Sequence, residues 1–159
     1  MELINYCTKP YLPLNDCYTM REMRDQLGKT KLSKPANVVP MLRSIFQILD
    51  NEREHFIVLS LNTKNYLKSI DIVSIGTLNA NIVHPRDVFY AAISHRSASI
   101  ITTHNHPSGD TSPSDNDLNI VKKITQAGEI IGIDHLDHII FGGEEWLSLG
   151  ETNQLGGKS

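Results

Sequence analysis

Residues 103–117 read THNHPSGDTSPSDND, and three side chains in this stretch are of metal-ligand type. His104 and His106 stand one residue apart, and Asp117 follows eleven residues after the second histidine. Neutral imidazole nitrogens and a carboxylate oxygen are ligands that zinc takes, and three of them leave a fourth tetrahedral position open. An open position is what a catalytic metal needs, whereas structural zinc is closed by four protein ligands. The same residues have a plainer reading. Ser114 and Asp117 have the spacing of a helix N-terminal capping pair, S-x-x-D. Two histidines in a polar loop can also be solvated. Capping and ligation are compatible, so both readings stand at this point.

The elements around the stretch decide whether the three side chains can meet. ASIITTHN (98–105) reads as a short buried strand. Residues i and i+2 of an extended chain point the same way, so His104 and His106 project together from its end. Pro107, Ser108 and Gly109 turn the chain. Ser114 then caps a helix that places Asp117 in its first turn and is expected to stop near Gly128. A helix packed back on the strand brings Asp117 to the histidines.

The rest of the chain supplies the frame. VVPMLRSIFQIL (38–49) has apolar residues at helical spacing. EHFIVLSLN (54–62) and YLKSIDIVSIG (66–76) read as strands joined by a polar turn at Asn62–Asn65. HPRDVFYAAISHRSA (84–98) reads as a helix with Pro85 in its first turn. HLDHIIFGG (135–143) and EEWLSLG (144–150) read as two more strands. This imperfect alternation predicts an α/β domain, a mixed β-sheet flanked by helices. Residues 1–38 form an N-terminal arm of unassigned role, with a short helix expected over 19–27. Residues 39–150 are the domain, and residues 151–159 a flexible, fraying tail.

Composition narrows the function. The chain has 159 residues, suited to one domain, and carries a net charge of −3. Residues 1–50 sum to +2 and residues 51–159 to −5. An acidic domain is a poor partner for phosphate backbones, so the charge does not support nucleic-acid binding. Cys7 and Cys17 are expected to be free thiols of a reducing cytoplasm. The N-terminus lacks a signal-peptide pattern, and no stretch is long and apolar enough to span a membrane. The expectation is a cytoplasmic protein with no membrane partner.

The histidine stretch resembles the JAMM motif of JAB/MPN metalloproteases: H-x-H-P, six residues, Ser, two residues, Asp. His104, His106, Pro107, Ser114 and Asp117 match it. The wider pattern resembles the RadC-like branch of that superfamily through Gly76-Thr77-Leu78, His84-Pro85-Arg86-Asp87, His104 to Gly109, Pro113 to Asp117 and Asp137-His138-Ile139-Ile140. The likeness covers about residues 40–150. It implies a JAB/MPN, cytidine-deaminase-like architecture and one zinc ion per chain held by His104, His106 and Asp117. It implies a protein or peptide substrate, cut at an amide or isopeptide bond by metal-activated water. Glu54 matches the family's Glu ahead of the first core strand, which implies the general base, with Glu52 a competitor two residues away. Ser114 is implied as a stabiliser of the tetrahedral oxyanion. Many RadC-like proteins also carry an N-terminal helix-hairpin-helix region, and residues 1–38 lack its length and its glycine-rich pattern.

Other functions compete with this one. The alternatives are a RadC-like accessory role in DNA repair, recombination or mobile-element biology, and a non-catalytic MPN scaffold; the complete ligand set argues against the second. The residues of an HNH nuclease are dispersed over a ββα motif rather than contiguous. A zinc deaminase needs H-x-E and P-C-x-x-C elements, and both are missing. A metallo-β-lactamase-type hydrolase needs H-x-H-x-D-H. An amidohydrolase barrel needs about 250 residues. Elsewhere, strand alternation puts His135 and His138 on opposite faces, which argues against joint ligation. Asp137 and His138 are read as partners behind the site or as a strand-end network. His84 and Arg86 read as structural, His55 and His95 as surface residues, and Trp146 as core or rim.

Overall fold

A computed structural model describes residues 31–76 and 83–156. Helix α1 (Pro35–Ile48) leads into strands β1 (Glu54–Leu61) and β2 (Leu67–Gly76). Helix α2 (Pro85–Ser94), strand β3 (Ser99–Asn105), helix α3 (Asp115–Ile131), and strands β4 (Asp134–Gly142) and β5 (Glu145–Ser148) follow. The five strands form one mixed sheet in the order β2-β1-β3-β4-β5. Only β3 and β4 are parallel, joined through α3. The remaining pairs are antiparallel. The expected α/β architecture is therefore present.

Side chains alternate across the sheet and divide the core in two. Ile57, Leu59, Ile101, Ile139 and Phe141 pack with Val38, Leu42 and Ile45 of α1 on one face. Phe56, Val58 and Ile100 pack with Val88, Phe89 and Ile124 of α2 and α3 on the other. In β1 and β3, the even-numbered residues face α2 and α3. The partner of His104 across the ladder is Phe56. Glu54, two residues earlier, shares that face.

Several expected boundaries move. The first helix begins at Pro35, where proline suits the first turn, so Pro40 lies inside it on the exposed side. The domain also begins before residue 39. Leu32 is fully buried in the core, and Lys31 bridges to Tyr66. The long helix does not stop at Gly128. It runs to Ile131 and ends on Gly132, which takes the left-handed conformation that glycine adopts without strain. Gly128 is small for another reason: a Cβ there would lie 2.5 Å from the Ile133 carbonyl oxygen. Part of the expected tail is docked. Leu155 packs against Val121, Ile140 and Leu149, and its carbonyl accepts from Thr125. The expected helix at 19–27, Cys7, Cys17 and the Thr77-Leu78 segment lie outside the described residues.

The turn at 62–65 forms as the sequence suggests. Asn62 Oδ1 accepts the N–H groups of Lys64 and Tyr66, and Asn65 has φ 62°. No helix among the described residues is long and apolar enough to cross a membrane.

Candidate metal centre

The end of β3 and the start of α3 meet as the ligand reading requires. Ser114 caps α3: its hydroxyl accepts from Asp117 N at 3.1 Å, and Asp117 Oδ2 accepts from Ser114 N at 2.8 Å. The cap fixes the Asp117 carboxylate above the strand end. The Ser114 hydroxyl donates its proton to Asp117 Oδ2 at 2.7 Å. The capping pair and the candidate ligand cluster thus share Asp117.

His106 lies just beyond the strand and is held by backbone on both sides. Its N–H donates to the Phe141 carbonyl, extending the β3–β4 ladder. Its Nδ1 lies 2.6 Å from the Asp110 carbonyl. A carbonyl can only accept, so Nδ1 carries a proton there and Nε2 is the nitrogen turned inward, free to ligate once it holds no second proton. The loop that makes this bond lies directly on β4. A Cβ at Gly142 would be 2.3 Å from the Gly109 carbonyl oxygen, so only glycine lets the loop close.

His104, His106 and Asp117 each offer one ligand atom, all within 4.8 Å of one another. His104 Nε2 lies 2.9 Å from His106 Nε2 and 3.5 Å from Asp117 Oδ1. His106 Nε2 lies 3.3 Å from Asp117 Oδ2. Tetrahedral zinc with bonds of about 2.0–2.1 Å sets its ligand atoms about 3.3 Å apart, so the separations suit such an ion. The donor set fits as well. Two nitrogen lone pairs and a carboxylate converge on one point, which favours a cation there. The group can hold a metal ion.

The electrostatics favour positive charge among these groups, a proton on His106 in the metal-free chain or a cation in its place. Burial pushes the His104 imidazole down to about 4, with Asp117 acting in opposition. Burial alone would raise the Asp117 carboxyl, but hydrogen bonds from His106 and Ser114 and the pull of His104 hold it below the usual carboxylate range. His106 is raised, first by its hydrogen bond with Asp117. An ionised carboxylate between imidazoles is the charge state that metal ligation uses.

Glu54 is brought to the cluster and Glu52 is not. Glu54 Oε1 lies 3.9 Å from His104 Nε2, on the shared face. Glu52 sits in the preceding turn, exposed, with its N–H on Asp50 Oδ1. A cleft of about 260 Å³ opens beside the site, lined by Glu54, Phe56, His84, His104, Asp117 and Lys123 among others. A second groove of about 240 Å³ lies on the His106 side, along Pro107, Gly109 and Phe141.

Three expectations about neighbouring residues are corrected. His135 and His138 share a face, because β4 bulges between His135 and Asp137 and leaves Leu136 out of register. Both contact Thr102 Oγ1, at 2.7 Å each. His55 is not a surface residue; it is 3% exposed and lies beside Asn105. His95 is only half-buried and bonds the wholly buried Asp71. Asp137 lies on the α1 face, where it accepts from Ser148 and Gly150 and clamps the β4–β5 end. Trp146 packs at the rim of the α1 cluster.

Sequence reasoning missed Asn105 and Thr102. The available signal was position: Asn105 stands between the two ligand histidines, and Thr102 two residues before His104 on the same face.

Fold and site together define a JAB-type domain, and the chain belongs to the RadC-like JAB domain family, whose model matches residues 32–155. It is 45% identical over 132 residues to a UPF0758 protein of Desulforamulus reducens, a match covering 78% of this chain and 58% of that protein. It is 46% identical over 121 residues to a UPF0758 protein of Methanosarcina mazei, covering 76% and 52%. A UPF0758 protein of Chlorobium phaeovibrioides is 50% identical over 109 residues, covering 69% and 49%. This chain therefore spans about half the length of the curated relatives it matches.

Proposed function

We propose that this domain is a zinc-dependent hydrolase that cleaves an amide or isopeptide bond in a protein or peptide substrate. The observation that carries the reading is the convergence of His104, His106 and Asp117 at tetrahedral spacing with Glu54 beside them. Zinc held by these three residues would supply Lewis acidity to a water and to the substrate carbonyl. Glu54 is placed to take the proton of the attacking water on a carboxylate oxygen and pass it to the leaving amine. Its carboxylate is half-buried, 3.9 Å from His104 Nε2. The Ser114 hydroxyl, now donated to Asp117, is a candidate to turn towards a developing oxyanion. The cleft and the groove on either side of the ligands give an extended peptide room to cross the site.

The test is hydrolysis of isopeptide-linked and linear peptide substrates by the zinc-loaded chain, with Glu54→Gln as control. Turnover that falls about 10²–10⁴-fold in the variant, with zinc retained, supports the reading. Retained turnover in Glu54→Gln removes Glu54 from the chemistry. Zinc bound without hydrolysis of any such bond favours a scaffold instead.

A further inference from the structure

Behind the ligands runs a line of buried side chains that the proposed chemistry does not use. His104 Nδ1 lies 2.8 Å from His138 Nε2. His138 Nδ1 lies 2.7 Å from Thr102 Oγ1, which lies 2.7 Å from His135 Nε2. His135 Nδ1 lies 2.9 Å from Thr125 Oγ1. Thr125 Oγ1 ends the line on two backbone carbonyls, Val121 and Leu155, each at 3.0 Å. Thr102 and His138 are fully buried, and His104, Thr125 and His135 nearly so.

We infer that Thr125, His135, Thr102 and His138 form a one-way hydrogen-bond chain that fixes the tautomer and ring angle of His104, and so act as positioning residues for the metal. The inference rests on the reading of His104, His106 and Asp117 as a metal site. The direction of every bond follows from the far end. Carbonyls only accept, so the single proton of the Thr125 hydroxyl goes to Val121 or Leu155. Thr125 Oγ1 must then accept from His135, which places the His135 proton on Nδ1. Burial pushes His135 down to about 4, so at neutral pH it has one N–H and its Nε2 is an acceptor. Thr102 therefore donates to His135 Nε2. A hydroxyl has one proton, so Thr102 must accept from His138 Nδ1–H. His138 Nε2 is then an acceptor and takes the proton of His104 Nδ1. His104 is left with its Nε2 lone pair facing His106 and Asp117, the only tautomer that can ligate there. No step in this count uses the metal.

The bulge in β4 makes the chain possible. Without it His135 and His138 would alternate across the sheet, and Thr102 could meet only one of them. Phe56 stacks on His104 and His138, at 6.0 and 5.5 Å between centroids, and limits both rings to small rotations. Partners behind a metal-bound histidine commonly change metal affinity when lost. Here the partner is an imidazole whose own proton is set by two threonines and a backbone carbonyl.

The test uses the full chain and three variants: Thr102→Val, Thr102→Ser and Thr125→Val. Zinc affinity is measured by chelator competition. Histidine tautomers are read from side-chain ¹⁵N shifts in chelator-treated protein, and folding is checked by thermal melting. Nδ1–H on both His135 and His138 is expected in the wild type. Thr102→Val is expected to bind zinc about 10–100-fold more weakly, with mixed tautomers at His138. Thr102→Ser restores the hydroxyl and is expected to bind within a few-fold of wild type. Thr125→Val, at the far end, is expected to fall between wild type and Thr102→Val, and serves if Thr102→Val does not fold. Wild-type affinity in both valine variants, equal loss in Thr102→Ser, or Nε2–H on His138 in the wild type would overturn the inference while leaving the metal site standing. A wild-type chain that takes up no zinc overturns the metal reading itself, and the positioning role with it.

Discussion

Asn105 Oδ1 accepts the backbone N–H of His55 at 2.8 Å, although the two residues lie fifty positions apart. The same side chain donates through Nδ2 to the Arg53 carbonyl at 2.9 Å. An amide side chain thus carries the β1–β3 ladder one step past its end and grips the backbone on both sides of Glu54. The residue between the two ligand histidines positions the carboxylate that faces them.

Replacing Asn105 by Ala removes both bonds and takes the acceptor from the buried His55 N–H, while the Arg53 carbonyl keeps the His55 ring nitrogen at 3.1 Å. The expected stability cost is about 1–3 kcal/mol. Zinc stoichiometry is expected to stay at wild-type level, because no ligand is touched, while hydrolysis falls towards that of Glu54→Gln. Denaturant unfolding, elemental analysis and a peptide assay read the three effects separately. Loss of zinc together with activity would show that Asn105 supports the ligands rather than Glu54.

Ser114 serves the helix cap and the ligand at once, so Ser114→Ala should affect both. Loss of the cap is expected to cost about 1 kcal/mol. Loss of the hydroxyl bond to Asp117 Oδ2 is expected to weaken zinc binding about 10-fold. Ser114→Thr, which keeps the hydroxyl, is the matched control. Unchanged zinc affinity with a large fall in turnover would place Ser114 on the substrate rather than behind the ligand.

The buried histidines give the metal-free protein a defined pH response. His135 has a folded value of about 4 against 6.5 when free, so between these values the unfolded chain binds more protons than the folded one. Stability therefore rises with pH across that window, and acidification from about 6.5 to 4 removes it. His135 alone accounts for roughly 3 kcal/mol of that change. Asp117, held below 3.8 by its hydrogen bonds against the cost of burial, adds a loss of the same sign at still lower pH. The measurement is the urea midpoint of chelator-treated protein at pH 7, 5.5 and 4.5. A midpoint that does not move between pH 7 and 4.5 contradicts the neutral, buried state of His135.

The clustering of His104, His106 and Asp117 was legible in the sequence because all three lie within fifteen residues, on a strand end and a helix start whose signals are local. Period-two alternation placed His104 and His106 together, and the S-x-x-D cap placed Asp117. The same rule failed at His135 and His138. A bulge is set by how β4 pairs with β3 over α3, and residues 134–138 carry no mark of it. The end of α3 was misjudged because Gly128 is required by Phe89 and the Ile133 carbonyl, contacts distant from any local stop signal. His55 reads as a surface residue and Asn105 carries no local signal, because their roles depend on a pairing across fifty residues. The docking of Leu155 likewise depends on α3 and β4 being in place.

The most direct measurement is the metal content of the purified, untagged chain beside His104→Ala, by elemental analysis after incubation with zinc. This account predicts about one zinc per chain in the wild type, and loss of that zinc in the variant with the fold retained by circular dichroism. A wild-type chain without bound metal, or a His104→Ala variant that keeps stoichiometric zinc, would contradict it.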